Sequence, residues 1–207
     1  EGVYDPRFLS CSHGYRPRRS TATAVQQVLV HRDQGLRWVV DADIAACFDN
    51  LDHELIVRLL QRVVKDWFVL NLTTLWLQAG RKHRRRAVGV PLGAVLAPLW
   101  CNIVLHQLDA QLSCAGWKLV RYADDFVILT AHAAHAELAL EQTRAVLARL
   151  RLHLAPAKTR VTNFDEGFRF LGVDFERDRW SYTWERKRIE VQGRNVRWLY
   201  KHAPQHY

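Results

Sequence analysis

The spacing of hydrophobic and polar residues along the chain predicts helices that alternate with short strands. Apolar positions at helical spacing predict helices from 20 or 21 to about 32, from 50–52 onward, and over 67–78, 94–112 and 133–151. Shorter apolar runs predict strands at 36–44, 117–120, 126–129, 161–163, 168–175, 181–184 and 188–191. We expect Asp178 and Arg179 to form the turn of the last hairpin.

The order of these elements indicates the fold class. A strand, a helix, a longer helical insertion, a β-hairpin, a helix and a strand follow one another in a βαββαβ order. That order is typical of an α+β fold in which an antiparallel, ferredoxin-like sheet is backed by helices. Because no strong linker precedes about residue 190 and no internal repeat occurs, we expect one layered domain over most of the chain.

The composition fits a globular protein without a membrane segment. The chain has 207 residues, of which 49% are hydrophobic, and no apolar run approaches the length of about 18 residues that a membrane helix needs. The four cysteines lack the spacing of a zinc site, and the apolar surroundings of Cys47 and Cys101 indicate core residues in a reducing, cytosolic setting. Methionine is absent even at position 1, which suggests a processed chain or a fragment.

The net charge of +9 favours a polyanionic partner. The positive charge is clustered near Arg16, in the run 81–86 and over 177–188, where Trp180, Tyr182 and Trp184 are interleaved. Cationic and aromatic side chains together suit phosphate contacts and base stacking, although an ordinary solvated surface is the alternative. The cations of the run, expected to contact primer or template, are Arg81, Lys82, Arg84, Arg85 and Arg86.

Two adjacent carboxylates, Asp124 and Asp125, stand between two predicted strands in the sequence Arg121-Tyr-Ala-Asp-Asp-Phe126. Carboxylates are rarely buried unless they are paired or bind metal, although a solvated turn is the alternative. Asp43 ends the first predicted strand, which a βαββαβ sheet places beside this hairpin. Three carboxylates beside a basic groove predict a two-metal site for phosphoryl transfer.

Six motifs, taken in order, resemble reverse transcriptases of the bacterial group II intron type. They are Gly14-Tyr-Arg-Pro-Arg-Arg-Ser20, Asp43-Ile-Ala-Ala-Cys-Phe-Asp-Asn-Leu-Asp-His53, Gly89-Val-Pro-Leu-Gly-Ala-Val-Leu-Ala-Pro-Leu-Trp-Cys-Asn102, Tyr122-Ala-Asp-Asp125, Lys158-Thr159 and Phe170-Leu-Gly-Val173. The resemblance implies a polymerase palm that adds dNTPs to the 3′-hydroxyl of a DNA or RNA primer on an RNA template. It also implies two Mg²⁺ ions, with Mn²⁺ as a substitute.

The same resemblance implies roles at the reacting centre. Asp43, the carbonyl of Ile44, Asp124 and Asp125 match metal-binding positions. Lys158 matches a basic residue near the departing phosphates, where it can act as a general acid. A solvated charge is the alternative for Lys158.

Other matched positions concern substrate binding. Phe48 matches the bulky residue that excludes a ribose 2′-hydroxyl, although a plain core residue is the alternative. Leu171 and Gly172 match the hairpin that supports the primer, and Arg16 is expected to hold template or triphosphate. Pro91, Leu92 and Gly93 match the nucleotide-contacting loop, where the family usually has Pro-Gln-Gly. Leu92 cannot hydrogen-bond through its side chain, which puts activity in doubt.

The resemblance divides the chain into three parts. We expect a partial fingers segment at 1–36, a palm at 37–192 with a fingers-side helical insertion at about 53–92, and the start of a thumb or a linker at 193–207. A complete thumb is not expected within this sequence.

The biological setting is predicted only in outline. The segment 170–191 looks most similar to the CRISPR-associated branch, in which the enzyme works with an integrase, whereas an intron relative would act with intron RNA. Alternatives are a catalytically impaired nucleic-acid-binding module, an RNA-templated RNA polymerase and a subunit of a larger complex. We expect a bacterial cytoplasmic protein without a membrane partner.

Overall fold

The computed structural model describes residues 2–79, 87–90, 93–197 and 199. Its helices are α1 (Thr21–Asp33), α2 (Cys47–Asn50), α3 (His53–Gln61), α4 (Trp67–Ala79), α5 (Ala97–Cys114) and α6 (Ala133–Arg149). Its strands are β1 (Trp38–Asp43), β2 (Lys118–Tyr122), β3 (Asp125–Thr130), β4 (Arg160–Asn163), β5 (Phe168–Phe170), β6 (Val173–Glu176), β7 (Arg179–Trp184) and β8 (Lys187–Gln192).

The central sheet has the strand order β2-β3-β1-β4, and all its pairs are antiparallel. This is the βαββαβ arrangement predicted from the sequence, so the α+β palm fold is confirmed. The first strand lies between β3 and β4. Residues that are far apart in the sequence therefore meet at one end of β1.

The two faces of the central sheet pack against different layers. Val40, Ala42, Phe126 and Ile128 belong to a core that also includes buried residues of α3, α5 and α6. The alternate residues, such as Val39 and Val127, belong to a second core with α1 and the strands β5 to β8. Because side chains alternate across a strand, Asp41 and Asp43 lie on this second face.

The strands β5 to β8 form a separate four-stranded antiparallel sheet, which was not anticipated as a unit. The predicted strand 168–175 is two strands, because Leu171 and Gly172 both have positive φ and form a tight turn. The prediction of a last hairpin turning at Asp178 and Arg179 was wrong. Arg179 begins β7, and the last hairpin joins β7 to β8 through Glu185 and Arg186.

The prediction of base stacking is also corrected for Trp180 and Tyr182 of β7. Trp180 and Tyr182 are 1% and 5% exposed and contribute to the second core. An alternating strand directs these two side chains to the same face, and that face is the interior one. They stabilise the fold and are not accessible to a nucleic acid.

Helix boundaries follow capping residues in the sequence. Ser20 caps α1 in a reciprocal pair with Thr23, and Asp52 caps α3 by accepting the amide of Leu55 at 2.8 Å. Pro98 lies in the first turn of α5, where no intrahelical amide is needed. Within the described residues, no helix combines the length and apolar character that crossing a bilayer requires.

Candidate active site

Asp43 and Asp125 face each other on neighbouring strands. They are direct partners in the antiparallel register of β1 and β3, and Asp41 lies two residues earlier on the same face. Side chains of opposed residues in such a pair are close neighbours. The tertiary fold therefore gathers carboxylates from sequence positions 41, 43 and 125.

Asp124 lies in the turn between β2 and β3. Tyr122 pairs with Asp125, so the turn consists of Ala123 and Asp124. Ala123 has a φ of 57°, a left-handed conformation that glycine usually fills at the first position of such a hairpin turn. This backbone presents Asp124 close enough to Asp43 for their charges to interact.

The electrostatics of the group reflect burial and repulsion. Burial, followed by the charges of Asp41, Asp43 and Asp124, raises the pKa of Asp125 to about 7. Burial is also the main cause of the raised pKa of Asp124, and Asp43 adds to it. The carboxylates therefore repel one another and favour bound positive charge.

Lys158 supplies a positive charge at this site. Its Nζ lies 2.9 Å from Oδ2 of Asp43, and this carboxylate raises the pKa of the lysine. Lys158 reaches Asp43 because the segment before Lys158 pairs with the end of β1. The amide of Ala155 donates to the carbonyl of Asp43 at 2.8 Å.

The same pairing orients the carbonyl of Ile44. Ile44 opposes Leu154 in an antiparallel bridge, and the flanking bonds involve the carbonyl of Asp43 and the amide of Ala45. Ile44 and Leu154 therefore form a non-hydrogen-bonded pair, in which the carbonyls of the two opposed residues point away from each other. The Ile44 carbonyl is thus directed away from Leu154, toward the side of the sheet where β3 and the acidic turn lie.

A cleft of about 390 Å³ opens beside these groups and carries charges of both signs. Its lining consists of Asp41, Asp43, Asp125, Ala157, Lys158, Arg160 and Arg169. Arg160 pairs with Asp41 at 3.4 Å, and Arg169 lies 3.8 Å from Asp174. Among the described residues, no three histidine, cysteine, aspartate or glutamate side chains form a group ready to hold a metal ion.

Comparison with known proteins identifies the family. Residues 4–175 match the family described as reverse transcriptase (RNA-dependent DNA polymerase). The chain belongs to the reverse transcriptase family. Group II intron-encoded protein LtrA of Lactococcus lactis subsp. cremoris is 39% identical over 113 residues, which are 53% of this chain and 19% of LtrA.

Two further comparisons extend over more of the chain. Protein YkfC of Escherichia coli (strain K12) is 30% identical over 225 residues, covering 88% of this chain and 59% of YkfC. Apo telomerase from Candida tropicalis matches with a TM-score of 0.65 and 13% identity, over 84% of this chain and 37% of the telomerase chain. This structural likeness concerns the fold alone, and this chain spans about a fifth of LtrA.

Phe48 lies in α2, the short helix after β1, five residues beyond Asp43. Its side chain is partly buried and packs against the first core. The carbonyl of Phe48 accepts the amide of Val90 at 2.9 Å, and Gly89 packs against the backbone of Asp49. The close packing of Gly89 on Asp49 requires glycine, because a Cβ atom at position 89 would lie 2.9 Å from the Asp49 carbonyl oxygen.

The other predicted substrate-binding positions are distributed differently. Leu171 and Gly172 form the turn between β5 and β6, and Arg169 of the cleft lies two residues before it. Gly93 is exposed, with a φ of 84°. Pro91, Leu92 and the cations Arg81, Lys82, Arg84, Arg85 and Arg86 lie outside the described residues.

Arg16 is corrected to a structural residue. Its guanidinium donates to the carboxylate and carbonyl of Asp5 and to the carbonyls of Leu9 and Ser12, and its side chain is 7% exposed. It also lies over the ring of Phe8. These contacts use the guanidinium to fold the N-terminal segment, so it is not directed at a substrate.

Sequence reasoning missed several charged residues near the site. No role was predicted for Asp41, Arg160 or Arg169, because their strands meet at the cleft only in the folded chain. No role was predicted for Arg121, which directly follows the predicted strand 117–120, but it lies within β2 and is fully buried. A fully buried arginine is unusual unless it is paired.

Proposed function

We propose that this chain carries the nucleotidyl-transfer centre of an RNA-directed DNA polymerase. The observation that carries the proposal is the opposition of Asp43 and Asp125 on β1 and β3, with Asp124 in the adjoining turn. Membership of the reverse transcriptase family supports it. The cleft beside these carboxylates has the cations that a phosphate-bearing substrate needs.

The residues present fit divalent cations. Asp43, Asp124, Asp125 and the carbonyl of Ile44 would hold them, and their oxygen donors suit Mg²⁺ and also Mn²⁺. Mg²⁺ is usually held by one or two carboxylates together with substrate phosphates, which agrees with a site that is incomplete without its substrate. Two bound ions would lower the pKa of a primer 3′-hydroxyl and neutralise the leaving pyrophosphate.

The side chains around the cleft would divide the remaining work. Lys158 would move from Asp43 to the departing phosphates and donate a proton there. Phe48 would exclude a ribose 2′-hydroxyl, and the turn at Leu171 and Gly172 would support the primer end. The substrates would be dNTPs, an RNA template and a DNA or RNA primer.

The setting of the reaction is part of the proposal. The group II intron relatives favour intron RNA as the template, in a bacterial cytoplasm. Work beside a CRISPR integrase is a second setting, favoured only by the sequence of 170–191. The division into a fingers part (1–36), a palm (37–192) and a thumb or linker (193–207) belongs to the same proposal.

Primer extension on an RNA template with Mg²⁺ tests the proposed activity in the full-length protein. We expect the Asp124→Asn variant to lose extension while it still folds, because it removes a charge that would hold the cations. Asp178→Asn is the matched control, since Asp178 is exposed in a turn and pairs with Arg37 at 3.0 Å. Equal product from the wild type and Asp124→Asn would contradict the proposal.

The same assay separates the alternatives. A wild-type protein that binds primer–template but never extends it would be a binding module. Extension with ribonucleotides as readily as with deoxynucleotides would indicate an RNA polymerase. Faster extension on a folded group II intron RNA than on an unstructured RNA of equal length would support the intron setting over the CRISPR one.

A further inference from the structure

A fully satisfied polar network lies directly behind the acidic turn. The side chains of Arg121 and Asp109 are completely buried. Arg121 donates through Nε to Asp109 Oδ1 (2.7 Å), through Nη2 to Asp109 Oδ2 (2.6 Å) and Ser12 Oγ (2.8 Å), and through Nη1 to Asn102 Oδ1 (2.9 Å) and the Ala123 carbonyl (2.8 Å). These bonds use all five N–H groups of a guanidinium.

Stability alone is a weak explanation for this network. Removing two charges from water is costly, and a buried ion pair can often be replaced by apolar residues without loss of stability. A fully connected polar network instead specifies one arrangement of the groups it joins. One of those groups is the carbonyl of Ala123, within the turn that carries Asp124.

The conformation of Ala123 needs such support. Its φ of 57° is strained for a residue with a Cβ atom. Strained residues persist where their surroundings over-determine them, and they cluster at functional sites. The bond from Arg121 Nη1 to the Ala123 carbonyl restrains the carbonyl side of this residue.

Gly14 restrains the other side. A Cβ atom at Gly14 would lie 2.5 Å from the amide nitrogen of Ala123, so only glycine allows this approach. Asn102 fixes Gly14 by donating from Nδ2 to its carbonyl at 2.9 Å, while Asn102 Oδ1 accepts from Arg121. Two backbone bonds between Arg121 and residues 11 and 13, each 2.8 Å long, align the segment with β2.

We propose that Arg121, Asn102 and Gly14 are positioning residues that aim Asp124 and Asp125 by fixing the backbone of Ala123. The network touches the turn from the side opposite the cleft and joins three parts of the chain: the segment 11–14, α5 and β2. This proposal rests on the proposed function only in taking Asp124 and Asp125 as cation ligands.

The variants Gly14→Ala and Asn102→Asp test this role. The first forces the turn away from residue 14. The second keeps the shape of the side chain but replaces the donor to the Gly14 carbonyl with a carboxylate oxygen. We expect Mn²⁺ binding to weaken by about 10- to 100-fold when it is measured by electron paramagnetic resonance on the full-length protein with dNTP and a primer–template that ends in a dideoxynucleotide.

Kinetics and hydrogen exchange supply independent readouts. We expect kcat for primer extension to fall by a similar factor, with unchanged affinity for primer–template, because the cleft cations are untouched. Amide hydrogens of the peptide 121–126 should exchange faster in both variants. Raising the Mn²⁺ concentration should partly restore kcat.

Gly35→Ala is the matched control. Gly35 has a φ of 88°, and a Cβ atom there would meet nothing within 4 Å. It precedes β1, at the end of the strand opposite Asp43. This variant should lower the melting temperature through backbone strain and leave Mn²⁺ affinity and kcat unchanged.

The outcomes separate this proposal from the proposed function. Folded variants with wild-type Mn²⁺ affinity and wild-type hydrogen exchange at 121–126 would overturn the positioning role. Failure of both variants to fold would also overturn it, because the network would then serve folding. A wild type that binds Mn²⁺ but extends no primer would contradict the polymerase and leave the Mn²⁺ comparison valid.

Discussion

Two alanines close in sequence to the acidic residues hold left-handed backbone conformations. Ala46 follows the end of β1 with a φ of 44°, and Ala123 precedes Asp124 with a φ of 57°. Each costs about 1–2 kcal/mol relative to ordinary backbone. At both positions nearby hydrogen bonds hold the chain, such as the amide of Asp49 to the carbonyl of Ala46 at 3.0 Å. Substitutions that loosen the packing around these two alanines should therefore shift the acidic residues before they unfold the protein.

Phe48 gives a prediction at the residue scale. Replacing it with valine should increase ribonucleotide incorporation relative to deoxynucleotide incorporation by on the order of 10- to 100-fold. The smaller side chain leaves room for a 2′-hydroxyl that the phenyl ring would crowd. Single-nucleotide extension with each dNTP and its matching rNTP measures the ratio of kcat/KM.

Leu51→Val controls for the loss of core packing near Phe48. Leu51 is fully buried in the same core, so this change should lower stability and leave the sugar preference unchanged. An unchanged rNTP/dNTP ratio in Phe48→Val would mean that Phe48 serves the core alone.

At the scale of elements, the cleft forms where two sheets meet. Arg160 begins β4 of the central sheet, and Arg169 lies in β5 of the second sheet. Both side chains are more than half exposed, and both are held only loosely by carboxylates. Both arginines line the same cleft as Asp43 and Asp125. The two strands thus present positive charge beside the carboxylates of the cleft.

Replacing Arg160 and Arg169 with alanine should weaken primer–template binding and reduce its salt dependence. Each lost phosphate contact lowers the magnitude of the slope of log K against log [salt] by about 0.7–0.9. Fluorescence anisotropy over a series of salt concentrations, without dNTPs, measures this slope. The KM for dNTPs should change less than the affinity for the duplex.

Arg144→Ala is the control for the general loss of positive charge. Arg144 is exposed on α6, where it pairs with Glu141, and α6 packs on the opposite face of the central sheet. Its removal should leave the slope unchanged. An unaltered slope in the Arg160 and Arg169 variants, or an effect confined to the KM for dNTPs, would rule out the assigned backbone contact.

For the whole molecule, the segment 11–14 joins α1 to the central sheet. His13 is 2% exposed, and its ring nitrogens contact Thr23 Oγ1 at 2.7 Å and Gln27 Oε1 at 2.6 Å. Burial, with smaller effects from Arg19, Arg16 and Arg121, lowers the pKa of His13 to about 4. The folded chain thus holds this residue neutral.

Acidification should therefore destabilise the fold through His13. Because its folded pKa lies below the ordinary value of 6.5, its contribution is fully present above pH 6.5 and is lost as the pH falls toward 4. The expected loss in the free energy of unfolding is about 3 kcal/mol. Urea unfolding at a series of pH values from about 7.5 to about 4 measures this free energy.

The variant His13→Asn isolates this contribution, because its side chain does not titrate. It should be less stable than the wild type near neutral pH and lose less stability on acidification, while other histidines contribute equally to both proteins. Parallel curves for the two proteins would show that protonation of His13 does not limit acid stability.

The order of elements was predictable from the sequence, because apolar periodicity and capping residues act within a few neighbouring positions. The helix caps at Ser20 and Asp52 and the strand ending at Asp43 are local signals of this kind. The strand order then followed from the βαββαβ connection. The second sheet was not anticipated, since its short strands carry no signal for which sheet they join.

The sequence by itself determined the family, the palm fold and the residues Asp43, Asp124 and Asp125 as candidates for the site. Only the tertiary structure decided that Arg16 is structural, that Trp180 is buried and that Arg121 stands behind the acidic turn. The physical reason is that burial and pairing depend on contacts between distant segments. A charged side chain has the same sequence signature whether it meets a carbonyl, a carboxylate or water.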